Sequence, residues 1–323
     1  MKGPDADGSR RAPALGHPQA IRIALILAAN AAVAIAALVF VCLGPCVMPD
    51  LRMGSPLVTM AVATLPASAA FGLMLGCRRI DLSLPMIAAL AVGLNASPHF
   101  LSFQPIATLG LLCGLGAALA AIGAAVTWYG RISSALWTAL VAMALVGIDA
   151  HLGGLGGHRE AWSWPWALAA SMGLLVGGAA LLGMAGLVSP PNLPPILRAG
   201  PAGLTGLAAA WVLAAVAMVL AAKSELAPDK QVLPSYGAIL AAGAMGGAYI
   251  LRGRWGAMAA VLLTSMAHFS WLFAATAFQG GGRNLACILI PALVPLAVVP
   301  AYLVADRLIR TRTGESPATA LMG

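Results

Sequence analysis

"LVTMAVATLPASAAFGLMLGCRRIDLSLPM", residues 57 to 86, decides how the chain is read. No charge occurs from Leu57 to Gly76, and then Arg78, Arg79 and Asp81 arrive together. About 20 apolar residues span the hydrocarbon core of a bilayer, and arginines closing such a run mark its cytoplasmic end. The stretch therefore predicts a membrane-crossing helix, a basic stop, and a turn into another helix starting near Ser83. Pro85 suits the first turn of that helix, where a missing N–H costs nothing. Asp81 or Ser83 can cap its first amides, and the Asp81 charge complements the positive end of the helix dipole.

The rest of the chain is of the same kind. Only 9% of its 323 residues are charged, 61% are hydrophobic, and mean hydropathy is +0.92. A soluble domain carries about a quarter charged residues. Abundant Ala and 37 Gly predict closely packed helices, and the alternating strands of a membrane β-barrel are absent. The expectation is an all-α polytopic membrane protein. Apolar runs fall near 21–44, 56–76, 83–98, 105–129, 133–150, 165–188, 201–222, 235–251, 255–278 and 284–305, which predicts about ten transmembrane helices. The run at 83–98 is short, as in a helix that starts or stops inside the protein.

Charge sets the orientation. With the amino terminus in the cytoplasm, the outer loops hold only Arg52, Arg159, Lys223, Lys230 and Arg283 of the 18 cations. All others, Arg22 and Arg198 among them, fall inside, as the positive-inside rule requires. Both termini are then cytoplasmic. Residues 1–20 read as a disordered cytoplasmic tail without a signal peptide's apolar core, 21–305 as the transmembrane domain, and 306–323 as a cytoplasmic C-terminal tail. The net charge of +8 is spread between apolar runs rather than gathered on one face, which argues against nucleic acid. Cys42, Cys46, Cys77, Cys113 and Cys287 read as small buried hydrophobes. A bridge between Cys42 and Cys46, which flank a Gly-Pro turn, is geometrically possible.

Catalytic patterns are missing. The five histidines have no zinc spacing, no phosphate loop ends in Gly-Lys-Ser/Thr, and no G-x-S-x-G holds a serine. No metal site, catalytic residue or cofactor is expected in this chain. Ionisable groups inside the membrane are the natural place to seek function. His268 is the best of them, with Ser265 or a backbone carbonyl as the expected partner of a neutral imidazole. Asp149, beside His151 and a Gly-rich loop, reads as a solvated cap. The scarcity of buried carboxylates weighs against ion coupling.

"RRIDLSLPMIAALAV" resembles the "GIDLSVG" signature of ribose-type (simple-sugar) ATP-binding-cassette importer permeases, relatives of the branched-chain amino-acid permeases. Residues 57–77 are similar to the helix preceding that signature. "GLGAALAAIGAAVTWYGRISSALWTALVAMALVGID" (114–149) is similar to the family's Gly-rich helix, basic turn and next helix. "PSYGAILAAGAMGGAYILRGRWGAMAAVLLTSMA" (234–267) is similar to a later block, with Ala238, Ile239, Gly246, Gly247, Gly253, Arg254 and Gly256 at the family spacing. The likeness extends over roughly residues 50–310 in order.

The resemblance implies a vitamin B12-importer-like (type II) permease fold in a bacterial inner membrane. It implies a second permease subunit, a cytoplasmic ATPase that binds ATP, and a periplasmic solute-binding protein. The solute would be a sugar or similar small polar molecule. Asp81, Ser83, Asn95 and His268 are then candidates for the path or gate, and Gly246, Gly247, Gly253 and Gly256 for backbone-to-backbone packing. Asn192, Leu193, Ile196, Leu197 and Arg198 are candidates for the ATPase coupling loop. The chain departs from the family at Arg79 and Pro85, where glycines are usual. It departs further in "SPPNLPPILRAGPAGL" (189–204), whose prolines disturb a long coupling helix. A ten-helix drug/metabolite-type secondary carrier and a transport-inactive membrane scaffold are the other readings. The halves of the chain do not repeat as that carrier's would.

Overall fold

A computed structural model describes residues 17–44, 46–52, 55–76, 80–84, 132–152, 164–184, 212–214, 232–251, 255–279 and 285–313, with single positions between 114 and 126. Among these residues the secondary structure is helical, with no strand. Seven helices organise it: α1 (His17–Cys42), α2 (Pro56–Gly76), α3 (Ser134–Leu152), α4 (Trp164–Met184), α5 (Val232–Met245), α6 (Gly256–Gln279) and α7 (Leu285–Thr313). A single 3₁₀ turn, Ala248–Ile250, lies between α5 and α6.

Three of the helices are long and apolar enough to cross a membrane, over Pro18–Cys42, Gly256–Phe278 and Leu289–Thr313. Their surfaces fit that solvent. Ile35, Phe40, Leu293, Leu296, Val304 and Leu308 are all exposed, and large apolar patches of this kind mark interaction or membrane surfaces.

Local chemistry sets the helix ends. Ser55 precedes Pro56, the first residue of α2; its Oγ accepts from Val58 N at 3.3 Å and donates to Asp50 O at 2.7 Å. Ser133 caps α3 likewise, accepting from Leu136 N at 3.2 Å. Both serines satisfy amides that the first helical turn leaves open. Helix α1 opens at His17, inside the expected 1–20 tail, with Pro18 in its first turn. Helix α7 runs on past 305 to Thr313, so the expected 306–323 tail is helical in its first part.

The apolar run at 235–251 is broken, where one continuous crossing was expected. Helix α5 stops at Met245, and Gly247 adopts φ +60°. That left-handed conformation suits glycine and ends a helix. The break is nonetheless buried: Ala248, Ile250 and Leu251 all lie in the core.

Helix α6 is the hub, packed against α1, α2, α4, α5 and α7. Its partners fix the directions. Ser68 reaches His268 while Gly72 and Gly76 lie against Thr264 and Ala257, so α2 runs antiparallel to α6. Arg22 pairs with Asp306 and Ile26 with Tyr302, so α1 and α7 are also antiparallel. Phe40 stacks on Phe278 at 5.3 Å, placing the ends of α1 and α6 together. The start of α1, the ends of α2 and α5, the start of α6 and the end of α7 therefore gather at one end of the bundle.

Candidate functional site

Among the described residues, four places in this apolar bundle gather buried polar groups.

At its middle, His268 is fully buried between α6 and α2. Thr64 Oγ1 donates its proton to Met60 O at 2.6 Å. It can therefore only accept from His268 Nε2, which lies 2.9 Å away. That leaves Nδ1 as the acceptor, and Ser68 Oγ–H donates to it at 2.9 Å. The imidazole is the neutral Nε2–H tautomer with both nitrogens satisfied, the condition for keeping it in an apolar interior. Its partners are the α2 hydroxyls rather than Ser265, whose Oγ bonds Val261 O at 2.7 Å.

Below His268, α2 and α6 touch along small residues. A Cβ on Gly72 would run into the Thr264 side chain and stand 2.9 Å from Ala260 O. On Gly76 it would be 3.1 Å from Ala260 Cβ and 3.3 Å from Ala257 Cα. Ser68, Gly72 and Gly76 recur every fourth residue, the small-xxx-small pattern that brings helices together in lipid. Sequence reasoning passed over this signal and placed the packing glycines elsewhere. Of those, Gly246 is close to the α6 backbone, its Cβ position 2.7 Å from Thr264 Cα. Gly247 meets side chains instead of backbone, Ile26 at 2.7 Å and Tyr302 at 3.1 Å. Gly256 lies beside Gly76, and Gly253 is outside the described residues.

The α5 break exposes carbonyls that side chains then claim. Met245 O accepts from Asn30 Nδ2 at 3.1 Å and Tyr302 Oη at 3.0 Å. Ala244 O accepts from Tyr249 Oη at 3.2 Å. Asn30 also bonds Ile26 O on its own helix at 2.8 Å. The interrupted helix is thus held by α1 and α7 together. Prolines create a similar vacancy in α7. Pro295 has no N–H, so Pro291 O lacks its helical donor, and Trp271 Nε1 of α6 supplies one at 3.1 Å.

At the shared end of the bundle, Arg22 Nε donates to Asp306 Oδ1 at 2.8 Å. Arg310 holds Oδ2 of the same carboxylate from one turn along α7. Arg22 and Asp306 are 1% and 2% exposed. Sequence reading counted Arg22 as a topology signal and gave Asp306 no role, because the partners lie 284 residues apart.

The signature turn forms a fourth site. Asp81 is buried, and its Oδ1 accepts from Ser83 N at 2.9 Å and Ser83 Oγ at 2.5 Å. Leu82 N donates to Thr138 Oγ1 of α3 at 3.0 Å, anchoring the turn. Burial pushes the Asp81 carboxyl above the usual range, while its bonds from Ser83 and Leu84 pull the other way. Asn95 and the 189–204 stretch with Asn192, Leu193, Ile196, Leu197 and Arg198 lie outside the described residues.

Cys42 is exposed, Cys46 is buried, and no bridge joins them, so the small-buried-hydrophobe reading fails for Cys42. Among the described residues, no group of His, Cys, Asp and Glu could hold a metal ion. A scan of protein-family models, a search of curated proteins and a search of solved structures each found no match.

Proposed function

We propose that this chain is the membrane-spanning permease subunit of an ATP-driven importer for a sugar or similar small polar solute. The buried break after α5 is the observation that carries the reading. It falls on Gly246 and Gly247, within the block that resembles the ribose-type permeases. Interrupted helices inside a bundle recur in membrane transporters, secondary carriers included, so the break supports transport, and the resemblance of its block favours the importer over a carrier. The common end for the start of α1 and the end of α7 supports an even number of crossings, as in a ten-helix chain whose two ends share one side; the cytoplasmic assignment rests on the positive-inside count.

On this reading the Asp81–Ser83 turn, tied to α3 through Thr138, forms part of the gate at the inner mouth. Asn95 contributes to the path, and His268 pins α2 to α6 in the closed arrangement. Asn192, Leu193, Ile196, Leu197 and Arg198 meet the cytoplasmic ATPase, whose closure is delivered as a rigid-body push. A second permease subunit and a periplasmic solute-binding protein complete the assembly in a bacterial inner membrane. A drug/metabolite-type secondary carrier is the competing reading.

Proteoliposomes separate the two. The chain with its ATPase and binding protein takes up labelled solute only with ATP inside the ATPase compartment. Uptake by the chain alone, driven by a proton or sodium gradient, would replace the importer by a carrier.

A further inference from the structure

We propose that the α1–α7 seam binds the phosphate of an anionic phospholipid at the end of the bundle where both helices terminate. The proposal rests on these two helices crossing a membrane, not on the importer reading.

Arg22 and Arg310 both hold Asp306, one on each carboxylate oxygen. Exposed Arg307 and Arg312 lie on the same stretch of α7. Among the described residues the seam therefore sets Arg22 and Arg310 against one carboxylate, with exposed Arg307 one turn before Arg310; Arg312 lies on another face of the helix. Positive charge in a partly desolvated place is costly unless an anion answers it. Arg310 also retains capacity to bind: its side chain is 23% exposed, and its guanidinium has N–H donors beyond those that hold Asp306. Guanidinium groups match phosphate oxygens in a planar fork.

The surroundings favour a lipid as the source of that phosphate. Exposed Ile21 and Leu27 of α1 and exposed Leu303, Val304 and Leu308 of α7 continue from the arginines along the bundle. They offer an apolar surface for acyl chains beside a basic spot for a head group. Basic pockets between transmembrane helices hold anionic head groups in this way. The Arg22–Asp306 pair fixes the two helices against each other, so Arg310, with Arg307 beside it, stands at a pre-formed seam.

The test uses the full chain in neutral detergent, titrated with dioctanoyl phosphatidylglycerol, dioctanoyl phosphatidylcholine or inorganic phosphate. Native mass spectrometry reads bound molecules, and the thermal midpoint reads stabilisation. Phosphatidylglycerol should bind saturably and raise the midpoint more than the other two. Arg310→Gln should weaken it about fivefold, and Arg307→Gln, at an exposed position, by up to about fivefold. Should Arg310→Gln fail to fold, Arg307→Gln carries the test, because its side chain is exposed. Equal binding of the two lipids would overturn the proposal, and so would affinity unchanged by the substitutions. A phosphate response matching that of phosphatidylglycerol would make this a free-anion site and overturn the lipid assignment.

Discussion

Replacing Gly72 by alanine tests whether α2 and α6 hold together by backbone proximity. The new methyl would meet the Thr264 side chain and stand 2.9 Å from Ala260 O. Turning Thr264 moves its Oγ1, but its Cβ, 2.6 Å from the new methyl, and the Ala260 carbonyl are fixed to the α6 backbone and yield only if the helices separate. Overpacking of this kind costs about 1–3 kcal/mol. Alanine's better helix propensity returns about 1 kcal/mol, leaving a net loss of up to about 2 kcal/mol. Gly177 in α4 is the control, since a Cβ there meets nothing within 4 Å. Gly177→Ala should therefore be neutral or stabilising by up to about 1 kcal/mol. Both variants are compared by denaturant unfolding in one detergent, followed by circular dichroism. If Gly72→Ala is as stable as Gly177→Ala, the close-packed seam does not exist as described.

Thr64→Val should remove the hydroxyl that accepts from His268 Nε2–H and cost up to about 1–3 kcal/mol, read in the same unfolding assay. Arg22→Met should cost about 3–5 kcal/mol, the range for breaking a buried pair from one side; Arg310 keeps a share of Asp306, so the lower end is expected in thermal melts. The pH dependence of Asp81 runs opposite to that of a salt-bridged carboxylate. Its folded-state value is raised, so the native protein keeps this proton longer than the unfolded chain. Stability should fall as pH rises above the ordinary carboxylate value of about 3.9 and level off beyond the raised one. Asp81→Asn should remove that contribution from stability measured against pH.

Seven of the ten apolar runs carry helices among the described residues, three of them long enough to cross a membrane; these were legible because an apolar segment advertises itself by composition alone. Their pairings were not. His268 stands out in the sequence as the notable intramembrane group, with Ser265, three residues away, or a backbone carbonyl as its expected partner. The hydroxyls that bind it sit about 200 residues away on α2, a distance no local pattern reports. Arg22 misled in the same way: a cation at a helix end satisfies the positive-inside rule whether or not it is paired. Gly72 and Gly76 could have been found. With Ser68 they form a four-residue repeat, and glycine-rich runs elsewhere drew attention from it. The break at Gly246 and Gly247 was half visible, since both glycines were marked for packing while the run was still counted as one crossing.

Everything argued for the bundle depends on its two terminal helices being antiparallel across a membrane, with both ends on the cytoplasmic side. Single cysteines at Gln19 and Thr313 in a cysteine-free variant, probed with a membrane-impermeant maleimide, measure this directly. In inverted membrane vesicles both positions should be labelled, and in right-side-out vesicles neither should be until the membrane is permeabilised. Labelling of the two positions from opposite sides would contradict the antiparallel clasp of α1 and α7. Labelling of both in right-side-out vesicles would reverse the orientation on which the importer reading depends.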